Sequence, residues 1–122
     1  MASILEKILW WLTFGNVSEI EAEELAALCD GETPPQLLDV RTRREWRQSR
    51  IPNARHMTFG SLKKPLADVG IDQERSVVAI CLSAHRSIPA VRLLKLRGLS
   101  DVRQLKGGMK AWWAALLPTE EG

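Results

Sequence analysis

Cysteine is scarce in this sequence, because the 122 residues contain only Cys29 and Cys81. Two cysteines so far apart make neither a disulfide framework nor a pair of metal ligands, and no other metal site is predicted. This excludes a disulfide-stabilised secreted scaffold and favours a reducing compartment such as the cytoplasm. Cys29 lies on the apolar face of a predicted helix and is expected to pack in the core.

An excess of charge and a long hydrophobic run are also lacking. The 17 basic and 15 acidic residues leave a net charge of +2, so no nucleic-acid partner is expected. The apolar stretch from Ile8 to Leu12 has no basic leader and no small-residue cleavage site, so it is not predicted to be a signal peptide.

Arginines cluster between Arg41 and Arg55, where they either attract a small dianion or form an ordinary solvated surface.

The first 16 residues have the pattern of an amphipathic helix. Its apolar side consists of Ile4, Leu5, Ile8, Leu9, Trp11 and Leu12. Such a helix is too short to cross a bilayer, which needs roughly 20 residues. We expect residues 1–16 to be an extension that packs on its own domain or on a second subunit. Contact of residues 4–12 with a membrane surface stays open as the less favoured alternative.

Strand and helix patterns alternate through the rest of the chain. Strands are predicted at 36–40, 55–58, 76–81 and 102–105, and helices at 18–29, 43–48, 61–69, 87–97 and 109–117. This order predicts one α/β domain over residues 17–118, followed by a tail at 119–122. Its sheet should have about five mainly parallel strands with helices on both faces. Functional residues should then lie at the carboxyl ends of the strands.

Cys81 ends the most apolar predicted strand, and a short loop separates it from the next helix. Backbone amides in such a turn can converge on an anion, and the helix amino terminus adds about half a positive charge. A thiolate is stabilised there, and Arg86 at the end of the loop would reinforce the effect. The same donors would hold a persulfide, whose outer sulfur is also anionic. The alternative is that Cys81 is a small apolar residue closing a core strand.

Several short motifs occur in a fixed order along the chain. They are Asp39-Val40-Arg41, Glu45-Trp46, Ile51-Pro52-Asn53-Ala54, the loop from Cys81 to Arg86 with Ser87, and Gly107-Gly108-Met109-Lys110-Ala111-Trp112. Together they resemble the rhodanese family over roughly residues 17–117. The resemblance implies a rhodanese-like fold, to which this chain adds the amino-terminal helix.

The resemblance also implies a sulfurtransferase with Cys81 as the catalytic residue. It places the substrate anion on the Arg86 side chain and on the loop backbone formed by Leu82, Ser83, Ala84, His85, Arg86 and Ser87. Asp39 and Arg41 would support the site as a rigid pair at a strand end. His85 either binds the anion or is simply exposed. The Gly107-Gly108 pair is expected to permit a tight turn close to the site.

The implied reaction has two steps. Cys81 takes the outer sulfur of a donor such as thiosulfate, and the persulfide then passes it to cyanide, to a thiol or to a protein acceptor. No cofactor is required. The sequence departs from the family pattern at Ala84, where many relatives have glycine, and at Ser49-Arg50, which replaces the common Gly-His. A positive φ at Ala84 would strain the loop.

Two other classes of function remain open. The chain could be a persulfide carrier or a noncatalytic protein-binding module, since folds are reused without their chemistry. A phosphatase or arsenate reductase of similar fold is less favoured. Those enzymes have a longer spacing between cysteine and arginine than the four residues, Leu82 to His85, found here. No general acid is evident for a leaving alcohol either.

Overall fold

The sheet is the centre of the molecule, for which a computed structural model describes residues 3–7, 17–58 and 60–122. Its strands are β1 (Glu19–Ile20), β2 (Gln36–Asp39), β3 (Arg55–His56), β4 (Val77–Ile80) and β5 (Val102–Leu105). They are ordered β1-β5-β4-β2-β3. Every neighbouring pair is parallel. The predicted five-stranded parallel sheet is therefore confirmed.

Helices cover both faces of this sheet. They are α1 (Ala22–Cys29), α2 (Arg43–Gln48), α3 (Ser87–Leu96) and α4 (Gly108–Ala114), with a 3₁₀ turn at Ser61–Lys63. Successive strand residues face opposite sides. Val77 and Ala79 pack with α3 in one core cluster. Val78 and Ile80 pack with α1 and α4 in the other. The α/β fold with helices on both faces is confirmed.

Helix α2 begins at a capping box that also orients an acidic side chain. The Thr42 hydroxyl accepts a hydrogen bond from the Glu45 amide at 3.2 Å. The Glu45 carboxylate accepts one from the Thr42 amide at 3.2 Å. Both bonds satisfy amides that a helix start leaves without partners. They fix the Glu45 side chain at the first turn of the helix.

Two of the predicted helices are wrong in part. The segment predicted as a helix from Ser18 begins as strand β1, because the Ser18 and Ile20 carbonyls accept the amides of Gln104 and Lys106 at 2.9 Å. Ser18 with Glu21 three residues on has the pattern of a capping box, but the pairing with β5 overrides it. At 61–69 only the 3₁₀ turn forms, and Pro65 there lacks the amide hydrogen that a longer helix needs.

The amino-terminal extension is described only in part. Residues 4–7 are helical, whereas 8–16 lie outside the described residues, so the packing of the extension stays a prediction. In the parts described, no helix is long and apolar enough to span a membrane.

The last residues of the chain lie against the domain. Arg50 and Glu120 form an antiparallel bridge, and the Gly122 amide donates to the Arg47 carbonyl at 2.8 Å.

Candidate active site around Cys81

Cys81 follows β4 directly, at the carboxyl edge of the sheet. The residue is buried, with 0% of its surface exposed. Its carbonyl accepts the amide of Met109 at 2.8 Å, and the Leu82 carbonyl accepts the amide of Lys110 at 3.1 Å. The start of the loop is thus bound to the first turn of α4.

Gly108 makes this approach of α4 possible. Its φ is +59°, and a Cβ atom there would lie 2.4 Å from the Cys81 carbonyl oxygen and 2.5 Å from that of Leu82. No side chain fits such a space. The expectation of a tight glycine turn close to Cys81 is confirmed.

The loop from Leu82 to Ser87 joins Cys81 to α3. Across the ranges that the structure covers, nothing accepts a hydrogen bond from the backbone amides of these six residues. Such amides normally find a partner, so a run without one provides donors for a ligand. Their position beside a buried sulfur at a helix amino terminus provides what an anion cradle needs.

A chain of side-chain hydrogen bonds leads from the sulfur to the surface. The Cys81 Sγ lies 3.3 Å from the Ser87 Oγ. The Ser87 hydroxyl donates to the Gln104 Oε1 at 2.6 Å, and the Gln104 Nε2 donates to the Glu19 Oε2 at 2.9 Å. Sequence reasoning missed Gln104 and Glu19. A polar residue at an inward-facing position of a short strand was the signal for Gln104.

Arg86 is bound to a carboxylate rather than directed at the sulfur. Its two terminal nitrogens each lie 2.9 Å from an oxygen of Glu45. The hydrogen bond from Arg86 lowers the pKa of Glu45 to about 2. The hydrogen bond to Glu45 raises the pKa of Arg86. The sequence placed Glu45 in a family motif but did not indicate that it binds Arg86.

Asp39 and Arg41 form a buried pair at the end of β2. The Arg41 Nη2 lies 2.7 Å from the Asp39 Oδ2, and both side chains are at most 1% exposed. The same nitrogen donates to the Ser49 carbonyl at 2.6 Å. Asp39 is the parallel partner of Ile80, the residue before Cys81. The pair therefore fixes the strand end next to the candidate nucleophile.

His85 is exposed and faces a cleft beside the loop, not the sulfur. The cleft has a volume of about 420 Å³, and its lining residues include Ser83, Ala84, His85, Glu19, Gln104 and Lys106. Cys81 is not among its lining residues. In the described part of the chain no group of His, Cys, Asp or Glu side chains could hold a metal ion.

Comparison with known proteins agrees with this geometry. The family model described as "Rhodanese-like domain" matches residues 21–115. The chain belongs to the rhodanese family. The match extends from the start of α1 to the end of α4, and the Cys81 loop lies within it.

Relatives of this rhodanese chain include proteins named for sulfur chemistry. A sulfurtransferase of Allochromatium vinosum is 33% identical over 102 residues, which cover 84% of this chain and 94% of the relative. The putative sulfur carrier protein YrkF of Bacillus subtilis is 29% identical over 97 residues, 80% of this chain but only 51% of YrkF. The crystal structure of a thiosulfate sulfurtransferase from Pseudomonas aeruginosa aligns with a TM-score of 0.78 and 30% identity, covering 88% of this chain and 20% of that one.

The rhodanese loop has one local departure that the structure explains. Ala84, where a glycine was expected from the resemblance, adopts a φ of +67°. A left-handed alanine costs of the order of 1 kcal/mol, so the loop stores a small strain. The residue is buried, at 8% exposure.

Proposed function

We propose that this rhodanese domain is a sulfurtransferase that carries sulfur as a persulfide on Cys81. The observation that carries the proposal is the run of amides from residue 82 to 87 that have no acceptor in the described chain and lie beside the buried sulfur. These donors would stabilise the thiolate and the persulfide alike. Asp39 and Arg41 would keep the adjoining strand end rigid.

The reaction is a double displacement in which atoms and charge balance. The Cys81 thiolate attacks the outer sulfur of thiosulfate, the S–S bond of the donor breaks, and sulfite leaves with the electron pair. The anionic persulfide then gives its outer sulfur to cyanide or to a thiolate, which regenerates the Cys81 thiolate. A free thiolate cycle of this kind suits a reducing compartment, so we place the protein in the cytoplasm.

Access to the buried sulfur is the step that the ion pair would control. Arg86 is 45% exposed while bound to Glu45, so an incoming dianion can reach the guanidinium from solvent. A donor that takes Arg86 from Glu45 would be drawn to the loop amides. We therefore propose Arg86 and the backbone of Leu82 to Ser87 as the binding site for the donor.

Intact-protein mass spectrometry after thiosulfate treatment tests the proposal. The expected result is the mass of one added sulfur, removed by a reductant and located on the peptide containing Cys81. The matched variants are Cys81→Ser, which should gain no sulfur, and Cys29→Ser, which should gain it as the parent does. An equal loss of loading in both variants would contradict the assignment.

A persulfide carrier is the second candidate, favoured by the relative YrkF, whose name describes a putative sulfur carrier. A carrier would load sulfur on Cys81 as above but release it slowly to cyanide and rapidly to a protein thiol. Turnover of the loaded protein with cyanide, measured as thiocyanate formed, separates the two functions. Fast turnover identifies an enzyme with a small acceptor, and a long-lived persulfide identifies a carrier.

A further inference from the structure

The hydrogen-bond chain from Cys81 to Glu19 has a direction that the side-chain chemistry fixes. Glu19 and Gln104 are direct neighbours across the β1–β5 pairing, and the Gln104 amide group lies between the Glu19 carboxylate and the Ser87 hydroxyl. The two neighbours of the Gln104 amide differ in their hydrogen-bonding capacity. The ionised Glu19 carboxylate can only accept hydrogen bonds, whereas the Ser87 hydroxyl can both donate and accept.

Each link of the chain determines the next one. Glu19 accepts, so the Gln104 amide must turn its NH₂ group towards Glu19 and its carbonyl oxygen towards Ser87. A hydroxyl carries one hydrogen, and Ser87 gives that hydrogen to Gln104 across 2.6 Å. What Ser87 offers to Cys81 across 3.3 Å is then a lone pair. A thiol can donate its hydrogen to this lone pair, whereas a thiolate cannot.

We propose that Gln104 and Glu19 are positioning residues that set the direction of the hydrogen bond between Cys81 and Ser87, so that the resting sulfur is a thiol donor. When the sulfur becomes a thiolate or a persulfide, the Ser87 hydroxyl rotates and donates its hydrogen to the sulfur. Its hydrogen bond to Gln104 is then broken. The proposal rests on Cys81 as the proposed nucleophile. It makes Gln104 and Glu19 oppose the loop amides, which favour the anion.

Charged groups from several elements lie around this site. Arg86, bound to Glu45, comes from the loop, and Asp39, bound to Arg41, comes from β2. His85 and Lys106 line the cleft with Glu19, and Lys106 lies 3.2 Å from Glu21. Replacing the neutral side chain of Gln104 leaves all of these charges in place. A change in thiolate formation on that replacement therefore reports the hydrogen bond and not a loss of charge.

The test is a pH titration of the ultraviolet absorbance of the thiolate. The protein carries Cys29→Ser, so that only Cys81 titrates as a thiol, and Cys81→Ser supplies the blank. Gln104→Met keeps the length of the side chain but removes the acceptor for the Ser87 hydroxyl. The midpoint of thiolate formation should then fall by about one pH unit, as for one new hydrogen bond to an anion. In a Ser87→Ala background Gln104→Met should cause no shift.

An unchanged or raised midpoint in Gln104→Met would overturn the proposal, as would an equal fall in the Ser87→Ala background. Circular dichroism checks that each variant folds. The pH dependence of sulfur loading from thiosulfate should move in parallel with the titration. If the parent loads no sulfur at any pH, the proposed function fails, whereas the titration still decides the hydrogen-bond direction.

Discussion

The two cysteines lie in opposite electrostatic settings. Cys81 is buried between the end of β4 and the start of α3, and the amides of the loop that follows it have no acceptor among the described residues. Cys29 is only half-buried, but it is the last residue of α1, where carbonyls rather than amides are left without partners. Burial, followed by the charge of Asp30, raises the pKa of the Cys29 thiol.

The two cysteines thus differ both in exposure and in the backbone groups around them. The more exposed of the two sulfurs has surroundings that favour the neutral thiol. The fully buried one is followed by the loop amides that we propose as the binding site for an anion. Three changes near Cys81 are each paired with a matched change elsewhere, and a fourth change tests the surroundings of Cys29.

The largest effect is expected at Gly108. Gly108→Ala puts a methyl group within 2.4 Å of the Cys81 carbonyl in a left-handed backbone. It should lower the free energy of unfolding by about 3 kcal/mol or more. Gly31→Ala, two residues after Cys29, meets its nearest carbonyl at 3.3 Å and should cost less than about 1 kcal/mol. Urea unfolding measures the stability of both variants. Similar losses in the two would contradict the close approach of Gly108 to the Cys81 carbonyl.

Arg86 should give the next largest effect. Arg86→Ala removes the guanidinium that would bind the donor, so sulfur loading should slow by a factor of roughly 10 to 100. Arg43→Ala removes an exposed arginine of α2 and serves as the matched control. The rate of persulfide formation is followed by mass spectrometry. If Arg43→Ala slows loading as much as Arg86→Ala, the general positive potential decides the rate and the proposed binding role is wrong.

Glu45 should give a smaller effect that depends on pH. Its pKa is lowered from 4.5 to about 2 by Arg86, so the pair stabilises the fold above pH 4.5 and loses this contribution as pH falls towards 2. Glu45→Gln should lower the free energy of unfolding at neutral pH by no more than about 1 kcal/mol, because solvent screens the pair. The difference in the free energy of unfolding between Glu45→Gln and the parent should become smaller as the pH falls from 4.5 to 3. Glu32→Gln, near Cys29, should show no such trend.

The smallest effect is expected at the Cys29 end. Asp30→Asn removes the charge that contributes to the raised pKa of the Cys29 thiol. Alkylation of Cys29 at neutral pH, measured in a Cys81→Ser background, should become slightly faster. The change is small because burial, the larger cause, is untouched. A decrease in the rate would show that Asp30 does not act on Cys29 through its charge.

Local patterns predicted much of the fold. The helix at 43–48 and the apolar run of β4 depend on neighbouring residues, so the sequence predicted both. Strand β1 could not, because its two residues are extended only through pairing with β5. Its sequence has the local signature of a helix start, and the distant partner overrides that preference.

In the candidate site, too, the sequence predicted the local features but not the long-range pairings. The sequence indicated Cys81, its loop and the glycine turn, because each depends on the order of nearby residues. It did not indicate that Arg86 binds Glu45, which is 41 positions away, or that Gln104 binds Glu19, which is 85 positions away. Such pairings are decided by the packing of the sheet, and no local pattern encodes them.

The hydrogen bond from the Met109 amide to the Cys81 carbonyl connects Cys81 to α4, which packs on the opposite face of the sheet from α3. Cys81 therefore belongs structurally to both layers of the domain. Neither layer can melt on its own without moving the sulfur. We expect heat inactivation to coincide with cooperative unfolding of the whole domain rather than to precede it.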